Sequence, residues 1–122
     1  MATVLEQLRG ILSNLERRTG ITATAVVRRD GLLIAHDFTT AEDPRLVAAL
    51  AASLVGSAER AVSELKKGKI SYIATMAEEG LMLTVRSGDV ILVALAPKDA
   101  NLGLILLEVE RASKQIEQVL GM

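Results

Sequence analysis

Leucines recur at every third or fourth position near the start of the chain, and this spacing predicts an amphipathic helix. The stripe consists of Leu5, Leu8, Leu12 and Leu15. Thr3 and Glu6 have the spacing of a capping box, in which the hydroxyl accepts from a backbone N–H and the carboxylate reaches back to the cap. We expect the helix to end near residue 18, before Gly20, which can adopt the left-handed conformation that ends many helices.

Two short apolar runs follow, and the turn signal between them predicts a β-hairpin. The runs occupy residues 23–29 and 32–37, and Asp30 and Gly31 separate them. Asp-Gly between apolar runs is typical of a two-residue turn in which both central residues have positive φ. We therefore expect two antiparallel strands joined by this turn.

A second helix is predicted from Asp43 to about Gly68. Asp43 can cap this helix, and Pro44 is well tolerated at the first helical position. Residues 46–58 carry no charge and leave the helix without a polar face. A helix that is apolar all round needs apolar cover on every side.

Three strands are predicted in the next part of the chain. Residues 69–76 alternate in hydropathy, residues 81–86 form a second run, and residues 90–96 are apolar throughout. Turns at 78–80 and 87–89 separate the three runs. An apolar run without alternation is typical of a strand that is covered on both faces.

A last helix is predicted after a polar stretch, with Asp99 or Asn101 as its cap. Its buried stripe is expected to comprise Leu102, Ile105, Val109, Ala112, Ile116 and Val119. Its solvent side is expected to comprise Glu108, Glu110, Arg111, Lys114, Gln115, Glu117 and Gln118. The element order is αββαβββα, which indicates one α+β domain over residues 1–122, a five-stranded, mainly antiparallel sheet flanked by three helices.

The two sides of the second helix are expected to have different neighbours. The chain's own sheet is expected to cover Val47, Ala51, Leu54, Ala58, Ala61 and Leu65. The other side carries Leu46, Ala49, Leu50, Ser53, Gly56 and Ser57. Small residues let another helix approach closely, and the other two helices are needed on the opposite sheet face. We expect a second copy of the chain to cover this side, with the strand at 69–76 pairing across the same two-fold axis.

Composition narrows the range of functions. The 122 residues are 50% hydrophobic and 2% aromatic, with no cysteine and a net charge of −1. The lack of cysteine excludes disulfides and suits a reducing cytoplasm, and balanced charge with few aromatics argues against nucleic-acid binding. We expect no signal peptide, and residues 46–58 are fewer than the roughly 20 that cross a bilayer.

Side chains that carry chemistry are scarce. His36 is the only histidine, and we expect an ordinary surface or sheet-edge residue there. No serine lies in a G-x-S-x-G elbow, and Gly68-Lys69 lacks the upstream glycine of a phosphate-binding loop. We therefore expect no catalytic residue, no metal site and no cofactor.

Three segments resemble the roadblock family of small domains, which are related to dynein light chains and to bacterial and archaeal regulators of Ras-like GTPases. They are the hairpin at 28–35, the alanine-rich helix at 46–54 and the helix start at 97–104. The resemblance covers essentially the whole chain. It implies a roadblock/profilin-like fold and a cytoplasmic, non-enzymatic homodimer that regulates or scaffolds a small Ras-like GTPase.

The resemblance also implies which residues contact the second copy. These residues are Leu46, Leu50, Ser53, Leu54, Ser57, Ile70, Tyr72 and Ala74. Two alternative functions stay open: a small-molecule-sensing module, which needs an internal cavity with polar groups, and a structural adaptor that does not contact a GTPase. The predicted interior is almost entirely aliphatic, which favours the regulator over the sensor.

Overall fold

The computed structural model describes residues 2–122, which form three helices and five strands. Along the chain these are α1 (Val4–Thr19), β1 (Ala23–Arg28), β2 (Leu33–Phe38), α2 (Pro44–Glu64), β3 (Ile73–Ala77), β4 (Gly80–Ser87), β5 (Val90–Ala96) and α3 (Leu102–Val119). The predicted order αββαβββα is confirmed. All five strands belong to one antiparallel sheet.

Strand β5 lies at the centre of the sheet. The strand order is β2-β1-β5-β4-β3, so β2 and β3 form the two edges. β5 pairs with β1 on one side and with β4 on the other. Because helices cover both faces of this central strand, it is apolar without alternation.

The helices begin at the predicted caps. The Thr3 hydroxyl caps α1 by accepting from the Glu6 backbone N–H at 3.1 Å. The Asp43 carboxylate caps α2 in the same way. Asn101, rather than Asp99, caps α3. Each cap satisfies a backbone donor that the first turn of a helix leaves without a partner.

The two faces of the sheet carry different helices. α1 and α3 lie side by side on one face, whereas α2 lies alone on the other and contacts β1, β2 and β5. The core under α1 and α3 includes Leu8, Leu12, Leu83, Leu92, Ile105 and Ile116. The core under α2 is made of Ala25, Val27, Val47, Ala48, Ala51, Val55, Ile91 and Val93.

The hairpin turn differs from the predicted two-residue type. Gly31 has a φ of 94°, but Asp30 does not have a positive φ. The Gly31 N–H donates to the Arg28 carbonyl at 2.9 Å, and the Arg28 N–H donates to the Leu32 carbonyl at 2.8 Å. These bonds define a type I turn followed by a G1 bulge, which requires the left-handed conformation only at the glycine.

The connection between α2 and β3 is longer than predicted. α2 ends at Glu64 rather than near residue 68, because Lys66 adopts a left-handed φ of 57° and cannot continue the helix. β3 begins at Ile73 rather than at residue 69. Residues 65–72 are used instead to carry the chain from the sheet face to the sheet edge.

The predicted sheet-facing side of α2 is wrong toward the end of the helix. Ala61 and Leu65 are exposed, whereas Ala48 and Val55 are buried. The predicted stripe runs from residue 47 to residue 65 in five steps, which is 3.6 residues per turn and matches an α-helix. The error therefore lies in the rotation of α2 about its axis, because the sheet covers Ala48 and Val55 while Leu54 and Ala58 are only half-buried.

The predicted solvent side of α3 is also wrong at one position. Glu108 is only 9% exposed, and its carboxylate lies 3.6 Å from the Arg111 guanidinium. α3 packs beside α1 as well as on the sheet, so its buried surface is wider than one stripe. Ser113 is buried for the same reason, and its carbonyl accepts from the Ser87 hydroxyl on β4 at 2.8 Å.

Candidate interaction site on the second helix

The outer face of α2 combines two large aliphatic side chains with small ones. Leu46 and Leu50 are each 56% exposed, and Ser53 and Ser57 are exposed on the same side of the helix. The four positions are separated by three or four residues, so they form a continuous stripe. We call these four residues the α2 outer stripe.

The inner side of α2 explains why this stripe faces outward. Val47, Ala51 and Val55 are buried against the sheet, and they fix the rotation of the helix about its axis. With this rotation, the helical period turns Leu46 and Leu50 away from the sheet. The α2 outer stripe is therefore held on the surface by its own neighbours.

An ion-pair network holds the second half of α2 in place. The Glu59 carboxylate accepts from the Arg29 guanidinium at 2.7 Å and from the Arg86 guanidinium at 2.6 Å. Arg29 belongs to the hairpin turn and Arg86 to β4. One helical carboxylate therefore ties α2 to two separate parts of the sheet.

The half of the sheet next to β3 is incompletely covered on the α2 side. Ile73 on β3 and Met82 on β4 are only partly buried, although they pack against the core under α2. The described residues pair β3 with β4 alone, so the outer edge of β3 carries no partner strand. The partly buried Ile73 and Met82 therefore belong to the same face of the sheet as α2.

The predicted contact residues fall into three groups. The α2 outer stripe holds four of them together, and Leu54 lies beside it, half-buried. Ile70 and Tyr72 lie in the connection before β3, with Tyr72 47% exposed. Ala74 is on β3 but packs against the core under α1 and α3, so its side chain points to the opposite face of the sheet.

A family model identifies the fold independently. The Roadblock/LC7 domain model matches residues 9–96 of the sequence. The chain belongs to the Roadblock/LC7 family. Two relatives from Methanocaldococcus jannaschii, the uncharacterized proteins MJ1340 and MJ0310, are each 36% identical over 107 residues, which is 88% of this chain and 94% of theirs.

Solved Roadblock/LC7 structures share the architecture of this chain. The gliding protein MglB of Thermus thermophilus superposes with a TM-score of 0.89 at 19% identity, covering 98% of this chain and 92% of its own. A Roadblock/LC7 domain of Streptomyces avermitilis gives a TM-score of 0.87 at 20% identity, with 93% and 98% covered. At these identities the likeness establishes the fold.

One buried acid in this Roadblock/LC7 chain has no counterpart in the sequence-based predictions. Glu16 on α1 is 9% exposed, and its carboxylate accepts from the Thr24 hydroxyl at 2.6 Å. Burial, together with the nearby Asp37 carboxylate, raises the pKa of Glu16 to about 7, although the Thr24 hydrogen bond opposes the rise. The sequence does carry a sign of this burial, because Glu16 lies four residues after Leu12 and therefore on the same side of α1 as the apolar stripe.

Two further kinds of site, a metal site and a membrane-spanning helix, can be assessed from the structure. Within residues 2–122, no three His, Asp or Glu side chains come together as a set of metal ligands. By length and apolar composition alone, α2 meets the criterion for a membrane-spanning helix. Core helices of soluble proteins meet the same criterion, and α2 packs on the sheet. The fold is that of a small Roadblock/LC7 domain.

Proposed function

We propose that this Roadblock/LC7 protein is a non-enzymatic, cytoplasmic homodimer that regulates or scaffolds a small Ras-like GTPase. Dimerisation is proposed to use the α2 outer stripe, Leu54, the connection residues Ile70 and Tyr72, and the β3 edge around Ala74. The GTPase is proposed to bind the dimer through protein contacts, without a catalytic residue from this chain.

The dimer proposal rests on incomplete cover of the α2 side: Leu46 and Leu50 are each 56% exposed, and Ile73 and Met82, which pack against the core under α2, are only partly buried. A second α2 packed against the first would bury Leu46 and Leu50 and could reach the partly exposed Ile73 and Met82. Small residues between the leucines allow the close helix approach that such packing needs. Contiguous apolar surface of this kind is typical of protein interfaces.

The unpaired edge of β3 supports the same two-fold arrangement. An antiparallel strand can pair with its own copy across a two-fold axis, which satisfies the free backbone groups of both edges. The two five-stranded sheets would then form one continuous sheet. Tyr72 and Ile70 lie just before β3, so they would flank the seam.

Family membership supports the GTPase part of the proposal. The roadblock domains that the sequence resembles include regulators of Ras-like GTPases, and they act through binding rather than through a fixed catalytic group. A dimer bound to a switch region would change the population of GTPase conformations by its differential affinity for them. The scarcity of reactive side chains in this chain is compatible with that mechanism.

The dimer is tested by one pair of matched substitutions. Leu50→Glu places a charge in the α2 outer stripe, and we expect light scattering to give a monomer near 13.0 kDa where the natural protein gives twice that mass. Leu104→Glu is the control, because Leu104 is also exposed, at 39%, but lies on α3 on the other face of the sheet. A monomeric natural protein, or a dimer retained by Leu50→Glu, contradicts the proposal.

The GTPase partner is tested by co-elution. The protein is mixed with a Ras-like GTPase encoded in the same genome, loaded with GDP or with a non-hydrolysable GTP analogue, and hydrolysis is measured in parallel. We expect a complex in at least one nucleotide state and weaker binding by the Leu50→Glu variant. Failure to co-elute in both states counts against GTPase regulation while leaving the dimer intact.

A further inference from the structure

The second edge of the sheet, formed by β2, carries an open trough of about 430 Å³. Its lining includes Leu33, Ile34 and His36 of β2, together with Arg9 of α1 and Arg45 of α2. Because α1 and α2 lie on opposite faces of the sheet, a trough that reaches both helices must lie along the outer edge of β2. The described residues pair β2 with β1 alone.

The ladder between β1 and β2 determines which backbone groups point into this trough. The Thr39 N–H donates to the Thr22 carbonyl at 2.9 Å, so the Ala23 N–H, on the opposite side of the same trans peptide, points away from β2. Hydrogen-bonded and non-hydrogen-bonded pairs alternate in an antiparallel ladder. His36 and Phe38 are the non-bonded partners of Ala25 and Ala23. The N–H and C=O groups of His36 and Phe38 therefore face away from the sheet.

Two arginines without carboxylate partners flank this edge. Arg9 and Arg45 are both exposed, and neither forms an ion pair within residues 2–122. Of the acids near this edge, Asp30 pairs with Arg28 at 2.7 Å and Asp43 caps α2, whereas Asp37 of β2 lies near Glu16. The edge is thus bordered on each face by an unneutralised guanidinium group.

The apolar side chains at this edge favour an extended occupant. Leu32 is 56% exposed at the start of the trough, and Leu33 and Ile34 are only partly buried. An added strand would present alternate side chains to the two faces. Acidic residues on either face would then reach Arg9 or Arg45, while apolar residues would contact the leucines.

We propose that β2 is a docking edge for an acidic, extended segment of a partner protein, which adds to the sheet as a sixth strand. Backbone hydrogen bonds to His36 and Phe38 supply affinity, and ion pairs with Arg9 and Arg45 select acidic partners. This edge is the one opposite β3. The docking therefore does not depend on the proposed homodimer or on GTPase binding, and a failure here leaves both of those proposals standing.

The probe is a capped peptide of four Glu-Val repeats, with a peptide of four Lys-Val repeats as its control. Each peptide is added to the isotope-labelled protein up to a peptide concentration of about 1 mM, which is high enough to detect weak binding by NMR. We expect the Glu-Val peptide to shift the amide resonances of residues 33–38 and to slow their hydrogen exchange. No shift there, the same shifts with Lys-Val, or shifts confined to β3 would overturn the proposal.

Two variants at one position separate the backbone contribution from the side chain. His36→Pro removes an outward N–H without removing a β1–β2 hydrogen bond. Proline is tolerated at such a position of an edge strand. His36→Thr keeps the N–H and removes the imidazole. We expect His36→Pro to lose peptide binding and His36→Thr to retain it, and equal binding by the two variants contradicts strand addition.

A second test asks whether the two arginines select acidic peptides, and it leaves the residues of β2 unchanged. Reversing both arginines, as Arg9→Glu with Arg45→Glu, is expected to weaken binding of the Glu-Val peptide at least about fivefold, from the typical strength of exposed ion pairs. The same variant should gain affinity for the Lys-Val peptide. Unchanged preference for the acidic peptide would remove the arginines from the proposal, even if His36→Pro proved too unstable to measure.

Discussion

The two faces of the sheet bury their apolar side chains in different ways. On one face, α1 and α3 lie side by side and enclose large side chains such as Leu12 and Ile116, which are fully buried. On the other face, α2 lies alone over alanines and valines, and Leu46 and Leu50 point outward. The first face is complete within one chain, whereas the second leaves apolar surface for another molecule.

This contrast shows how side-chain size assigns a role to each face. Large residues fill the space between two helices and a sheet, so little of them remains exposed. The residues that α2 buries on the sheet are alanines and valines, and its large leucines Leu46 and Leu50 lie on the side that no other helix covers. A helix in this position stabilises the fold with one side and is available for contact with the other.

The largest expected effect is a core substitution on the complete face. Leu12→Ala removes a fully buried side chain between α1 and the sheet, and we expect the free energy of unfolding to fall by about 3–4 kcal/mol. Urea unfolding followed by circular dichroism measures this loss. Leu107→Ala, an exposed leucine on α3, is the control and should change the free energy of unfolding by less than about 0.5 kcal/mol.

The incomplete face should make stability depend on protein concentration. If a second copy covers α2, folding is linked to association, and each tenfold rise in concentration adds roughly 1.4 kcal/mol to the apparent stability of a dimer. Thermal unfolding at several concentrations detects this dependence. The Leu50→Glu variant should unfold at one temperature throughout the series, and a natural protein that did the same would argue for a monomer.

Glu16 is the polar exception on the complete face, and it makes a pH-dependent prediction. Its pKa of about 7 in the folded protein lies above the usual value of 4.5, so the folded state holds this proton more tightly than the unfolded state. The stabilisation is fully present below about pH 4.5 and is lost as the pH rises through 7. Glu16→Gln should therefore be more stable than the natural protein at pH 8, by on the order of 1 kcal/mol.

The matching comparison is made at low pH. At pH 4.5 the natural Glu16 is protonated when folded, so the advantage of the Gln variant should largely disappear. Asp37→Asn, which removes the neighbouring carboxylate, should lower the pKa of Glu16 in a titration followed by NMR. A Gln variant with the same advantage at both pH values would contradict a raised pKa.

The smallest expected effect concerns the ion pairs that hold α2. Glu59→Gln removes the charge that Arg29 and Arg86 share, and we expect a loss of about 1 kcal/mol or less because all three side chains are partly solvated. The effect should shrink at high salt. Glu110→Gln, whose carboxylate lies 3.8 Å from Lys114 on an exposed surface of α3, serves as the control.

Local signals predicted most of the fold. The caps at Thr3 and Asp43 and the unbroken apolar run of β5 identified their elements correctly, because each signal acts within a few residues. Errors arose where the outcome depends on distant groups. Ala61 and Leu65 were assigned to the wrong side of α2, and Glu108 to solvent, since the sequence does not reveal which neighbour each helix side will meet.

The candidate site was predicted in part. The exposed leucines of α2 follow from a helix with no polar face, and the structure places them together on one side. The family resemblance groups Ala74 with them, whereas in the structure its side chain lies on the other face of the sheet, against the core under α1 and α3. A shift of one residue reverses a strand's faces, so such assignments need the observed pairing.

The sequence by itself determined the element order, the family and the surplus of aliphatic residues in one helix, because these depend on periodicity and turn chemistry along the chain. The tertiary structure decided which helix stands alone, which two strands form the edges, and where Glu16, Arg9 and Arg45 lie. Those features arise from contacts between residues far apart in the chain, where packing and desolvation act together, and local pattern does not encode them.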